Sequence, residues 1–143
     1  MNLLKRASSL IAAGALVTVA AGCSLDAVIW GPDGAHVIET TEQLIHAAAS
    51  GEADALACDD AEADFGEPQD WENLAAGEPE GFNSGFWPEQ ALLDPSWSIN
   101  LELGGESAVT GHVFPGDVFY RGTDDGLCVA DIAWSTVANS RAP

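Results

Sequence analysis

The chain has 143 residues, a length suited to one domain with its own core, and 47% hydrophobic content with five Trp and five Phe excludes disorder throughout. Against 23 acidic side chains stand only four Lys or Arg, a formal net charge of -19. Such a surface repels phosphate backbones and anionic headgroups, which excludes nucleic acid as a partner and leaves no polybasic route to a membrane.

Residues 1–22 have the three parts of a secretory leader: Lys5 and Arg6, an apolar run from about Leu10 to Val19, and small residues at Ala20, Ala21 and Gly22. The apolar run is short for a membrane span, which needs about 20 residues. Ala20-Ala21-Gly22-Cys23 resembles the lipobox of bacterial lipoproteins, departing from it at Ala20, where that motif usually has Leu. The resemblance implies that Cys23 is lipidated and begins the mature chain. Palmitate-type chains contribute about 0.8 kcal/mol per buried methylene, so two or three of them give a stable membrane anchor. The expected location is the extracytoplasmic face of a bacterial cell membrane. The anchored chain keeps Arg121 and Arg141 as its only Arg or Lys, against all 23 acidic residues.

The remaining cysteines, Cys58 and Cys128, form an even pair in an oxidising compartment and are expected to be bridged.

In chain order, residues 23–39 read as a lipidated tether and turn, with Gly31-Pro32-Asp33-Gly34 between the short apolar pieces Val28 to Trp30 and Val37-Ile38. A domain is expected over 40–137 and a tail over 138–143. Thr40 and Gln43 have capping-box spacing, and Leu44, Ala47 and Ala48 give a small apolar helical face that Ser50-Gly51 ends. A second helix is expected from about Ala53 to Glu62, and a third from Pro68 through Trp71, Leu74 and Ala75 to near Gly77. Residues 77–96 read as a packed or functional loop rich in Gly, Pro and aromatics. Period-two alternation then predicts a strand over Trp97 to Leu103. Two further strands, near Ala108 to Phe114 and Asp117 to Arg121, are expected on either side of Pro115-Gly116. The last, Leu127 to Val137, would place Cys128, Ala130, Ile132 and Trp134 on one face. Short helices first and an antiparallel sheet last make the fold class α+β.

The stretch LIHAAASGEADALACDDA is similar to the opening of NTF2-like domains, and the element order resembles that family's. The resemblance implies helices packed on a curved sheet that forms a cone around an apolar pocket. Members use that pocket for catalysis, for binding or as a scaffold, so it implies no single function.

Several constellations could carry chemistry. His36, His46 and His112 share no metal-ligand spacing. His112 with Asp131 is the one candidate acid–base couple, for a small pocket enzyme. A Cys58–Cys128 bridge would gather Asp59, Asp60, Asp124 and Asp125 into a possible calcium site. Phe82, Phe86, Trp87 and Trp97 could form an aromatic platform for a sugar or peptide of the cell wall. No phosphate loop, nucleophile elbow or paired zinc motif is present. Taken together, these features predict a non-enzymatic binding or accessory module of the envelope, with an unidentified envelope ligand or protein as its partner.

Overall fold

The structure, a computed structural model, describes residues 25–138. The proposed leader, Cys23 and most of the 138–143 tail lie outside the described residues. One helix, α1 (Leu25–Ala49), packs on a four-stranded antiparallel sheet, β1 (Leu74–Gly81), β2 (Trp97–Leu103), β3 (Val113–Thr123) and β4 (Gly126–Thr136), in that spatial order. This is an α+β domain.

The helix starts well before Thr40, so residues 25–39, expected as part of a tether and turn, are helical around a kink at Gly31. Gly31 breaks the helical path with φ 74° and ψ 172°, a conformation that favours glycine. Pro32 follows it, and its missing N–H and fixed φ suit the first turn of the main helical segment. From there Gly34, Val37, Ile38, Thr41, Leu44 and Ala48 form the buried stripe, at helical spacing. The stop is where Ser50-Gly51 placed it. Gly51, at φ 74°, lets its own N–H reach Ala48 O at 3.0 Å and the Glu52 N–H reach Ala47 O at 2.8 Å, which closes the helix end.

The second and third helices shrink to single 3₁₀ turns, Ala53–Leu56 and Pro68–Trp71. After Leu56 the chain is extended: Ala57 pairs in parallel with Val129, and the Cys58 N–H donates to Val129 O at 2.9 Å. This stretch covers the free edge of β4, and the Cys58–Cys128 disulfide, with Cα atoms 4.8 Å apart, locks it there. After Trp71 a left-handed Asn73 (φ 61°) turns the chain into β1, so Leu74 and Ala75 belong to a strand. The four residues from Ala63 to Gly66 are pinned by two indoles. Trp134 Nε1 donates to Asp64 O at 3.1 Å and Trp71 Nε1 to Phe65 O at 2.7 Å.

In place of two strands around Pro115-Gly116 there is one, β3, which runs through the pair; of the strand expected near Ala108 to Phe114 only Val113 and Phe114 belong to it, and residues 108–112 are turn and loop. The Pro-Gly pair lies at a bulge, where the register against β4 shifts between Pro115 and Asp117. Gly116 is required by packing, because a Cβ there would collide with the Ser135 side chain. A second bulge, between Phe119 and Tyr120, inserts Ala130 opposite no partner. It reverses the alternation in β4: Val129 and Ile132 both reach the helix-facing core, while Cys128 turns to the edge, so the four residues expected on one face are divided.

The core lies between helix and sheet. Val37, Ile38 and Leu44 meet Ile99, Leu101, Val118, Tyr120, Val129 and Ile132, with Trp71 closing one end. Among the described residues no helix is long and apolar enough to cross a membrane.

Candidate functional site

Alternation along β2 and β3 gives the sheet a second face, turned away from α1. Trp97, Ile99 and Leu101 go to the core, so Ser98 and Asn100 face the other way; Val118 and Tyr120 go to the core, so Asp117 and Phe119 do not. Residues 82–96 fold across this outer face. Phe82 and Trp87 each meet Phe119 edge to face, with centroids 6.0 and 5.0 Å apart, and Phe86 packs on Trp87 at 5.8 Å. The far end of the segment is clamped by Arg121, the one Lys or Arg among the described residues. Its guanidinium donates to Leu93 O at 2.6 and 3.1 Å and pairs with Asp60 at 2.8 Å.

Between this segment and the sheet lies a cleft of about 380 Å³. β1 contributes Glu78 and Glu80, β2 Ser98 and Asn100, β3 Asp117, and the covering segment Asn83, Phe86 and Trp87. A bulge in β1 shapes one wall: the register slips between Ala76 and Pro79, and the Asn100 side chain fills the gap. Asn100 Oδ1 accepts the Glu78 N–H at 2.9 Å, and a Cβ on Gly77 would run into the same amide. Asn100 Nδ2 is left as a donor.

Three carboxylates and no cation line the cleft. Burial, and secondarily the charge of Glu80, raise the Asp117 carboxyl above the usual carboxylate range. Ser98 is only 7% exposed, and its hydroxyl makes no side-chain hydrogen bond among the described residues. Every fully buried side-chain N and O among those residues has a partner, so the Ser98 hydroxyl owes its freedom to the cleft it lines. Phe86 is 76% exposed and offers an aromatic face at the rim.

The candidates raised from sequence are distributed differently. Phe82, Phe86 and Trp87 share the outer face, but Trp97 packs against the helix-side core and takes no part in a platform. His112 and Asp131 are not brought together. Asp131 pairs with Phe119 and accepts from Gln90 Nε2 at 3.3 Å, whereas the His112 carbonyl accepts from Val137, six residues further along. At about 3.3 Å per residue that is roughly 20 Å of strand. The His112 ring instead stacks near Phe114, at 6.5 Å.

His36 and His46 are exposed on α1. The disulfide forms as expected, yet the four aspartates around it do not share a centre. The Asp60 carboxylate is taken by Arg121, whose hydrogen bond and charge lower its pKa, and Asp59, Asp124 and Asp125 are exposed. Among the described residues no three His, Cys, Asp or Glu converge as a metal site.

Glu78, Glu80, Ser98, Asn100 and Asp117 were not singled out from sequence. The available signal was the polar half of the β2 alternation, which marks a solvent face without saying what covers it. Compared with family models, curated proteins and solved structures, the chain matches none, so its function rests on its own residues.

Proposed function

We propose that this chain is a lipid-anchored, extracytoplasmic binding module of the bacterial envelope, tethered through Cys23 and taking its ligand in the outer-face cleft. The cleft carries the binding half of the reading. Its volume lies within the range of about 300–1,000 Å³ usual for small-molecule pockets, and it combines aromatic walls with polar groups open to the cleft. Support for the anchor comes from the leader and from Ala20-Ala21-Gly22-Cys23. A tethered module suits the described domain, because its first described residue, Leu25, already belongs to α1 and lies two positions after the proposed attachment point in sequence. Leu25, Val28 and Ile29, exposed at that end, would lie nearest the bilayer.

A binding role is favoured over catalysis by the separation of His112 from Asp131, the one acid–base couple with sequence support. The cleft holds carboxylates and amides but no histidine, cysteine or basic side chain.

The anchor is tested by phase partitioning of the protein expressed in a bacterium that lipidates its lipoproteins. The wild type should enter the detergent phase, and Cys23→Ala should move to the aqueous phase with its thermal transition unchanged. A mutant that stays with detergent contradicts the anchor.

A further inference from the structure

We infer that the ligand of the outer-face cleft is an organic cation, an amine or guanidinium carried on a short apolar stem, held by Glu80 and Asp117 against the rings of Trp87 and Phe86. The inference rests on the proposed binding role and names the chemistry of the ligand.

Three observations converge. First, the lining contains Glu78, Glu80 and Asp117 with no basic side chain to neutralise them, because Arg121 is committed to Asp60 and to Leu93 O. The half-buried Asp117 carboxylate beside the exposed Glu80 carries a cost of partial desolvation and repulsion, which a bound cation relieves. Second, the same cleft presents aromatic rings. Trp87 lines it while making an edge-to-face contact with Phe119, and Phe86 is largely exposed at the rim. A cation over such rings is attracted by their quadrupoles while its stem meets apolar surface.

Third, Ser98, more than nine-tenths buried, lines the same space with a hydroxyl that has no side-chain partner among the described residues. It supplies an acceptor for an N–H. A bare metal ion fits poorly, since the carboxylates are spread around the cleft and no three of them converge among the described residues. A dispersed cation spans what a point charge does not. The net charge of -19 also draws cations toward the molecule from a distance.

The probe is 1,5-diaminopentane, titrated calorimetrically into full-length protein in non-ionic detergent at low salt, with 1,5-pentanediol as its uncharged counterpart. The diamine should bind saturably and more weakly as salt rises, and the diol should not bind. Glu80→Gln with Asp117→Asn should weaken diamine binding by about tenfold or more, the loss of a charge-assisted contact. Asp124→Asn with Asp125→Asn removes the same charge from an exposed turn and should leave affinity within about twofold.

Phe86→Ala, at an exposed position where folding is not at stake, should weaken binding of the diamine as well. Equal losses in the cleft and turn variants, or binding of the diol as tight as that of the diamine, overturn the inference. N,N′-diacetylchitobiose binding in place of the diamine, with sensitivity to Phe86→Ala, overturns the cation while leaving the binding role intact. No binding by any of the three probes overturns both.

Discussion

At the scale of single residues, one buried hydrogen-bonded chain ties helix to sheet. Thr41 Oγ1 lies 2.7 Å from Val37 O and 2.9 Å from the Tyr120 hydroxyl. A threonine hydroxyl has one proton, and the Val37 carbonyl can only accept, so Tyr120 donates to Thr41. Burial pushes the Tyr120 phenol well above its ordinary pKa, which keeps that donor protonated, although the Thr41 hydrogen bond acts in the opposite direction. Removing the donor with Tyr120→Phe should cost about 1 kcal/mol, whereas Thr41→Val strands a buried hydroxyl and should cost about 1–3 kcal/mol. Urea denaturation of the two variants checks the order.

Asp117 gives a pH-dependent counterpart. Its folded-state pKa is raised, so the native chain holds that proton more tightly than the unfolded chain does. The resulting penalty is present above the folded-state pKa, fades as pH falls through it and is absent below the ordinary aspartate value. Asp117→Asn should therefore raise the melting temperature at neutral pH, with the gain closing in acid. A gain that persists unchanged in acid would contradict the assigned cause.

At the scale of elements, the disulfide belongs to an edge as much as to a loop. It fastens residues 57–58 along β4, where the Ala57 bridge and the Cys58 N–H already cover the strand. The sequence separation of 70 corresponds to about 4 kcal/mol in the chain-entropy account, so Cys58→Ala with Cys128→Ala should lose stability of that order. Equilibrium unfolding with and without reductant measures it.

This bridge, β2 and the helix stop at Gly51 were legible in the sequence because each has a local cause: cysteine parity, strict alternation, and a glycine at φ 74°. The remaining elements lacked one. Leu74–Gly81 contains Gly and Pro and no β-branched or aromatic residue, so its strand character comes from pairing with β2. Pro79 is tolerated because β1 is an edge strand. Gly31-Pro32-Asp33 reads equally well as a turn or as a helix start, and the stripe from Val37 to Ala48 decides for the helix. Pro115-Gly116 marks a bulge within β3, which turn-like composition does not distinguish from a turn. The cleft was half legible. Phe86 and Trp87 stood out by type, whereas Glu78, Glu80 and Asp117 meet only through a meander and a register slip.

At the scale of the whole molecule, helix and cleft occupy opposite faces of one sheet. The helix side is apolar and closed, and the outer side carries a clamped aromatic segment over three carboxylates. In the proposed reading, Cys23 precedes Leu25 of α1 by two positions in sequence, so a lipid anchor would hold the domain from its helix side and leave the cleft accessible. This arrangement predicts that Cys23→Ala changes partitioning without changing affinity for the diamine, which calorimetry on the aqueous-phase protein checks. A change in affinity accompanying release would mean that membrane attachment shapes the site.

The central claim, that the outer-face cleft is the functional site, is tested most directly by nuclear magnetic resonance of isotope-labelled protein titrated with 1,5-diaminopentane. The account predicts shifts concentrated on the Trp87 indole N–H and on the amides of Glu78, Glu80, Ser98, Asn100 and Asp117. The indoles of Trp71 and Trp134, whose hydrogen bonds lie on the other side of the sheet, should stay fixed. Shifts spread evenly over the acidic surface, or centred on the Asp124–Asp125 turn, would contradict it.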